Sequence, residues 1–164
     1  MIVLGVDPGY ERMGLAVAER KEGKDILLYS GCVTTKRTLS FQERIHHLGK
    51  EFLQTLLLWK PNRVAIETLY MYKNQKTMTR VSEVRGMLIY LSQSNSIIVD
   101  EYTPLEIKIA VTGYGRASKE EVERMVCRLL KLPCGRKYDD EIDAIATAIT
   151  SLVRARATYP HINT

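Results

Sequence analysis

The chain contains little cysteine, with three residues in 164: Cys32, Cys127 and Cys134. Their number is odd, and the sequence shows neither Cys-x-x-Cys spacing nor a companion cluster of histidines. This pattern argues against a disulfide framework and against a thiolate zinc site. We therefore expect reduced thiols in a cytoplasmic protein.

Long apolar runs are also missing. No run approaches the roughly 18 residues that a membrane span needs, and the first 15 residues begin a strand instead of a secretory signal. The sequence has no internal repeat, no low-complexity tract and no Pro-, Gly- or Ser-rich linker. We expect one domain over residues 1–164, with about the last eight residues as a disordered tail.

An excess of negative charge is absent as well. The chain has 24 Lys and Arg against 19 Asp and Glu, a net charge of +5 and a pI near 9.1. This balance favours a polyanionic partner such as nucleic acid. It is a weak indication, since many unrelated proteins share it, so the position of the charges matters more.

The clearest element is the apolar run of residues 2–7, which ends in the carboxylate of Asp7. A short, β-branched run of this kind is typical of a strand buried on both faces. Pro8 and Gly9 favour a turn directly after it. Asp7 is then expected at the carboxyl end of a central strand, where α/β sheets bind ligands. The alternative is that Asp7 only caps the turn.

The remaining pattern predicts an α/β sheet of five strands in mixed directions, with helices on both faces. Capping boxes are expected at Ser40 with Glu43 and at Ser118 with Glu121. Apolar spacing and turn residues predict strands at 14–18, 26–34 and 63–67, a short buried strand at 97–99, and helices over about 40–59, 76–93, 104–111, 118–131 and 139–153.

Three more carboxylates occupy positions that could meet Asp7. Glu67 closes the strand at 63–67, and side chains at the ends of adjacent parallel strands lie about 5 Å apart. Asp140 and Asp143 are three residues apart at the start of the last helix, so they share one helix face. The alternatives are an exposed strand terminus for Glu67 and helix capping for the aspartates.

A cluster of oxygen ligands without His or Cys suits a hard cation, Mg²⁺ or Mn²⁺. Two such ions about 3.5–4 Å apart can activate a water and stabilise the leaving oxygen of a phosphodiester. Hydrolysis of nucleic acid is therefore the chemistry that the pattern favours. Because like charges repel at short range, we expect the cluster to destabilise the metal-free protein.

A set of motifs extends over most of the chain: Leu4-Gly5-Val6-Asp7-Pro8-Gly9, Ile66-Glu67-Thr68-Leu69-Tyr70, Lys73-Asn74, Arg85-Gly86, Leu129-Leu130-Lys131-Leu132-Pro133 and Asp140–Ile149. Together they resemble the RuvC-type Holliday junction resolvases, which have a ribonuclease H-like fold. The resemblance implies that Asp7, Glu67, Asp140 and Asp143 are a metal-binding catalytic tetrad holding two ions per subunit. It also implies a homodimer that nicks two strands of a four-way DNA junction symmetrically in recombination and repair, beside a branch-migration complex of the RuvA and RuvB type.

The resemblance also implies DNA contacts. Tyr70 matches an aromatic residue that is thought to stack on an unpaired base near the junction centre. Without the resemblance, Tyr70 would be interpreted as loop packing and each basic residue as an ordinary solvated side chain. The helix at 76–93 matches the one that pairs across the two-fold axis, although its apolar stripe could serve only the core. The other candidate DNA-binding residues are Lys73, Asn74, Arg85, Lys108, Arg116 and Lys119.

Some residues depart from the family pattern. Glu83-Val84 replace the frequent Gln-Ala before Arg85, and Met13-Gly14-Leu15 replace a frequent Thr-Gly-Tyr. These changes leave the cleavage preference and the dimer geometry undetermined. Asp139 is a rival to Asp140 as the third ligand, but its spacing to Asp143 favours Asp140. Competing functions are an actin-like ATP-binding module, a non-catalytic junction-binding protein, and a ribonuclease H-like nuclease that acts on hybrids or flaps.

Overall fold

The computed structural model describes residues 1–68, 75–133, 135 and 138–158. The candidate residues Tyr70, Lys73 and Asn74 lie outside these ranges, as does Cys134. The elements, in chain order, are β1 (Ile2–Asp7), β2 (Arg12–Lys21), β3 (Lys24–Thr34), α1 (Phe41–Trp59), β4 (Arg63–Glu67), α2 (Gln75–Ser94), β5 (Ile98–Tyr102), α3 (Pro104–Thr112), α4 (Lys119–Leu130) and α5 (Asp139–Thr158).

The five strands form one mixed sheet in the order β3-β2-β1-β4-β5. β1 to β3 make an antiparallel meander, whereas β1, β4 and β5 run parallel. The predicted five-stranded mixed sheet is confirmed. β1 and β4 are adjacent and parallel, which is the arrangement in which the strand ends at Asp7 and Glu67 lie close together. β1 is the central strand, and its four inner residues are fully buried.

The two faces of the sheet are covered by different helices. Leu4 of β1 packs with Phe52 of α1 and with α2 on one face. Val3 points the other way and packs with Leu152 of α5. α3 and α4 pack on the same side as α5 in a further apolar cluster. Helices on both faces were predicted from the alternation of strands and helices, and the structure confirms them.

Two glycines set the distance between the sheet and α5. A Cβ on Gly5 of β1 would stand 2.2 Å from the backbone oxygen of Ala144, and one on Gly14 of β2 would stand 1.8 Å from that of Asp140. Real Cβ atoms do not approach other atoms this closely, so any other residue would push α5 outward. The two glycines therefore bring the start of α5, with its aspartates, against the sheet.

Helix starts follow the predicted chemistry. Both predicted capping boxes are present, Ser40 with Glu43 before α1 and Ser118 with Glu121 before α4. A third, Thr103 with Glu106 before α3, was not predicted. The box at Ser118 fixes where α4 begins and so places Lys119 at its first residue.

The strand predicted at 97–99 is present, but its predicted bounds and its predicted burial are wrong. β5 runs to Tyr102 and forms an edge of the sheet, where Ile98 is 53% exposed. Asp100 extends the strand because Arg63 of β4 donates two hydrogen bonds of 2.6 Å to its carboxylate, and Ser151 Oγ of α5 donates a third at 2.8 Å. A charged residue that sequence patterns assign to loops is thereby accommodated in a strand.

Other expectations concern cysteines and membranes. Cys32 and Cys127 carry reduced thiols, and burial raises the pKa of the Cys32 thiol to about 11, which makes it a poor nucleophile. Within the described ranges, no helix is both long and apolar enough to cross a bilayer.

Candidate active site

The carboxylates of β1 and β4 lie side by side. These parallel neighbours pair Val6 with Ile66, so Asp7 and Glu67 close adjacent strands at the same edge of the sheet. Both side chains line a cavity of about 340 Å³, and Asp143 of α5 lines it too. Three carboxylates that are separated by 60 and 76 residues in the sequence, at positions 7, 67 and 143, thus share one cavity.

Two lysines complete the charged lining of this cavity. Lys108 comes from α3 and Lys119 from the first residue of α4. Both were candidate DNA-binding residues. Their positive charges partly balance the carboxylates, and both lower the pKa of Glu67.

The electrostatics of the cavity oppose full ionisation. Burial, and then the charges of Glu67, Asp143 and Asp140, raise the pKa of Asp7 well above its usual value. Burial and the charge of Asp143 raise the pKa of Glu67 to about 7, against the opposing lysines. A buried group of like charges behaves in this way when no cation neutralises it.

Asp140 lies beside the cavity instead of lining it. Its side chain borders an adjoining depression with Arg12 and Val81, yet its charge is felt at Asp7. Burial raises the pKa of Asp140, although the neighbouring Arg12 lowers it. The structure therefore places Asp7, Glu67 and Asp143 together, with Asp140 next to them.

Two basic side chains, those of Lys119 and Arg12, form ion pairs with the aspartates at the start of α5. Lys119 Nζ lies 3.2 Å from Asp139 Oδ2 and 3.4 Å from Asp143 Oδ2. Arg12 Nε lies 3.0 Å from Asp140 Oδ2, and Arg12 Nη2 lies 3.5 Å from Asp139 Oδ1. Sequence reasoning missed Arg12 altogether and treated Asp139 only as a rival ligand. The available signal was that Arg12 begins the strand paired with the end of β1.

A divalent metal ion fits this donor set. Among the residues that the structure describes, no group of three or more His, Cys, Asp or Glu has ligand geometry. Asp140 Oδ2, however, is buried and accepts no hydrogen bond from the described residues. Arg12 Nε lies 3.0 Å from it, but the N–H group does not point at the oxygen. An unsatisfied buried carboxylate oxygen, beside mutually repelling carboxylates, is what a hard cation would satisfy.

Of the other candidate DNA-binding residues, the structure describes Arg85 and Arg116. Arg85 of α2 pairs with Glu101 of β5, so its charge is already partly balanced. Arg116 is exposed in the connection between α3 and α4. Neither residue lines the cavity.

Comparisons with known proteins agree with this architecture. The profile of the family "Crossover junction endodeoxyribonuclease RuvC" matches residues 3–151. The enzymes of that name from Caldanaerobacter subterraneus and Petrotoga mobilis are 42% and 38% identical to this chain, over 91% and 90% of it and 90% and 91% of their own lengths. The solved structure of Thermus thermophilus RuvC in complex with a Holliday junction substrate superposes with a TM-score of 0.91 at 31% identity, over 96% of each chain. The central strand, the carboxylates at its edge and these matches together show that the chain belongs to the RuvC family of crossover junction endodeoxyribonucleases.

Proposed function

We propose that this protein is a structure-specific endonuclease that resolves four-way DNA junctions. It hydrolyses phosphodiesters with the help of divalent metal ions and nicks two strands symmetrically during recombination and repair. The observation that carries the proposal is the convergence of Asp7, Glu67 and Asp143, with two lysines, on one cavity at the carboxyl ends of parallel strands. The similarity to a relative solved with a Holliday junction supports the substrate.

The four carboxylates, Asp7, Glu67, Asp140 and Asp143, would hold the metal. Their oxygen-only chemistry favours Mg²⁺ or Mn²⁺, and their number suits two ions per subunit. When bound, such ions supply an activated water and stabilise the leaving oxygen of the phosphodiester. The raised pKa values of Asp7 and Glu67 are consistent with this role, because neutralisation by a cation would relieve the repulsion that raises them.

The side chains around the carboxylates would position the DNA. Lys108 and Lys119 place ammonium groups at the cavity, where they can bind the oxygens of a phosphate entering it. Arg85, Arg116, Lys73 and Asn74 would contact the sugar-phosphate backbone of the DNA. Tyr70 would stack on an unpaired base at the junction centre.

The assembly would be a homodimer, since symmetric nicking of two strands needs two cavities. α2 is our candidate for the dimer helix, and the 70% exposure of its Tyr90 supports this, because a large aromatic is left uncovered by the single chain. We further propose that the protein is a single domain, works in the cytoplasm and cooperates with a branch-migration complex of the RuvA and RuvB type.

The test uses a labelled four-way junction and a linear duplex of the same sequence, each with Mg²⁺ and with chelator. Paired symmetric nicks in the junction alone, and only with metal, are expected. Tight junction binding without cutting would replace the proposal with a binding protein. Cutting of the linear duplex as readily as the junction would mean that the same nuclease has another substrate.

A further inference from the structure

Asp139 forms ion pairs with both Arg12 and Lys119, the two basic side chains that also contact candidate metal ligands. Its Oδ1 lies 3.5 Å from Arg12 Nη2 and its Oδ2 lies 3.2 Å from Lys119 Nζ. Arg12 also contacts Asp140, and Lys119 also contacts Asp143. The result is a chain of alternating charge, Asp140–Arg12–Asp139–Lys119–Asp143, which we name the rim network.

Among the three carboxylates of the rim network, Asp139 is much more exposed to solvent than Asp140 and Asp143. Asp140 and Asp143 have side chains that are only 17% and 28% exposed, whereas that of Asp139 is 57% exposed. Within the described part of the chain, Asp139 also lies outside the cavity that contains Asp143 and the depression that contains Asp140. Asp139 therefore contacts both cations from the solvent side of the candidate metal site.

We infer that Asp139 is a positioning residue for metal binding, because it retains Arg12 and Lys119 when a divalent cation displaces them from Asp140 and Asp143. This inference rests on the proposed metal site and adds a role for a residue outside the ligand set. Arg12 and Lys119 each form two ion pairs in the network, one with Asp139 and one with a candidate metal ligand. Binding of a metal ion would therefore break only the ion pair with the ligand.

The same geometry predicts what happens without Asp139. Arg12 and Lys119 would then have only Asp140 and Asp143 as partners in the network, and a metal ion would have to break every ion pair that they make there. The two cations would compete more strongly for the ligand oxygens. Metal binding should weaken, and the weakening should depend on the presence of both cations.

The structure offers a matched control at Glu141. This residue also lies in the first turn of α5, but its carboxylate accepts a hydrogen bond from Ser30 Oγ at 2.6 Å. Within the described residues, neither Arg12 nor Lys119 forms an ion pair with it. Glu141→Gln thus removes one negative charge near the site and leaves the rim network intact.

The experiment titrates Mn²⁺ into the DNA-free protein and measures free Mn²⁺ by electron paramagnetic resonance. Asp139→Asn should weaken binding about fivefold, whereas Glu141→Gln should weaken it less than about twofold, in line with the small worth of exposed charges. Asp139→Glu, which keeps the charge, should restore most of the affinity. In a background carrying Arg12→Gln and Lys119→Gln, the effect of Asp139→Asn should fall to that of Glu141→Gln.

The possible outcomes distinguish a failure of the role assigned to Asp139 from a failure of the proposed metal site. Equal effects of Asp139→Asn and Glu141→Gln, or an undiminished effect without the two cations, would overturn the role of Asp139 alone. If the wild type does not bind Mn²⁺, or Asp7→Asn binds it equally well, the proposed metal site fails and this inference with it. Unfolding in chelator checks that each variant is folded, and Asp139→Ser provides a second neutral variant.

Discussion

Gly14 lies so close to Asp140 that only glycine fits at this position, because a Cβ on Gly14 would stand 1.8 Å from the backbone oxygen of Asp140. The obstacle is backbone, which cannot rotate away as a side chain can. Gly14 therefore fixes how near the aspartates of α5 come to the carboxyl end of β1.

Gly14→Ala should displace the start of α5 and cost at least about 2 kcal/mol of unfolding free energy, as overpacking of a close contact does. Junction cleavage should fall as well. Gly31→Ala in β3 is the matched control, since the nearest atoms to its Cβ would belong to the side chain of Tyr29, with the hydroxyl oxygen at 2.8 Å, and not to backbone. Denaturant unfolding measures both, and equal stabilities for the two variants would contradict this account of Gly14.

Glu67 should make the metal-free protein less stable as the pH rises. Its pKa is about 7 in the folded protein against 4.5 in a free side chain, so the folded state binds the extra proton between these values and loses that advantage above them. Glu67→Gln should remove this pH dependence and be more stable at pH 8 by on the order of 2 kcal/mol. Unfolding in chelator between pH 5 and 8 measures it. A wild type that gains stability over this range relative to Glu67→Gln would contradict the sign.

Asp7→Asn should abolish junction cleavage, by more than about 10²-fold, while junction binding persists. Asn keeps the shape of Asp but loses the charge that would hold the metal. Because burial and three neighbouring carboxylates disfavour the charged form, the variant should also melt higher than wild type in chelator. Substantial Mg²⁺-dependent cleavage by Asp7→Asn would remove Asp7 from the proposed site.

Tyr70→Ala should reduce junction cleavage more than binding to linear duplex, since only the junction offers an unstacked base. Loss of one stacking contact costs about 1–3 kcal/mol. Tyr70→Phe keeps the aromatic face and should behave as wild type. Equal losses on junction and duplex would return Tyr70 to a packing role.

Asp100→Asn should destabilise the fold by about 2–3 kcal/mol, because it removes the negative charge that accepts two hydrogen bonds of 2.6 Å from the largely buried guanidinium of Arg63. Burial raises the pKa of Asp100, but the hydrogen bonds from Arg63, Ser151 and Tyr102 and the positive charge of Arg63 together outweigh burial and lower it. This contribution is therefore present at neutral pH and lost on acidification, opposite to Glu67. Glu11→Gln, which removes an exposed partner of Arg44 at 3.7 Å, should change stability by less than about 0.5 kcal/mol. Thermal unfolding at pH 7 and pH 4 compares the two variants.

Much of the fold could be predicted because its signals are local. Each of these signals spans only a few consecutive residues: the apolar runs that end in Asp7 and Glu67, and the capping boxes at Ser40 and Ser118. These patterns predicted most of the helices and strands, and they indicated that Asp7 and Glu67 each close a strand of the sheet. They also pointed to the start of α5.

What could not be predicted depends on partners that are distant in sequence. β5 was misjudged because Asp100 resembles a loop residue until Arg63, 37 residues earlier, is seen to bind it. Likewise, the contact between Arg12 and Asp140 joins the second strand to the last helix. No local pattern indicates which cation will face which carboxylate, so the rim network became visible only in the folded protein.

The order in which the cavity residues occur along the chain has a consequence for protein synthesis. During translation, Asp7 and Glu67 leave the ribosome well before α5, which supplies Asp143 and covers the sheet at Gly5 and Gly14. With Asp143 among the ligands, a nascent chain that ends before α5 has an incomplete cavity. DNA-cutting capacity would then begin only once α5 has been synthesised and has docked on the sheet.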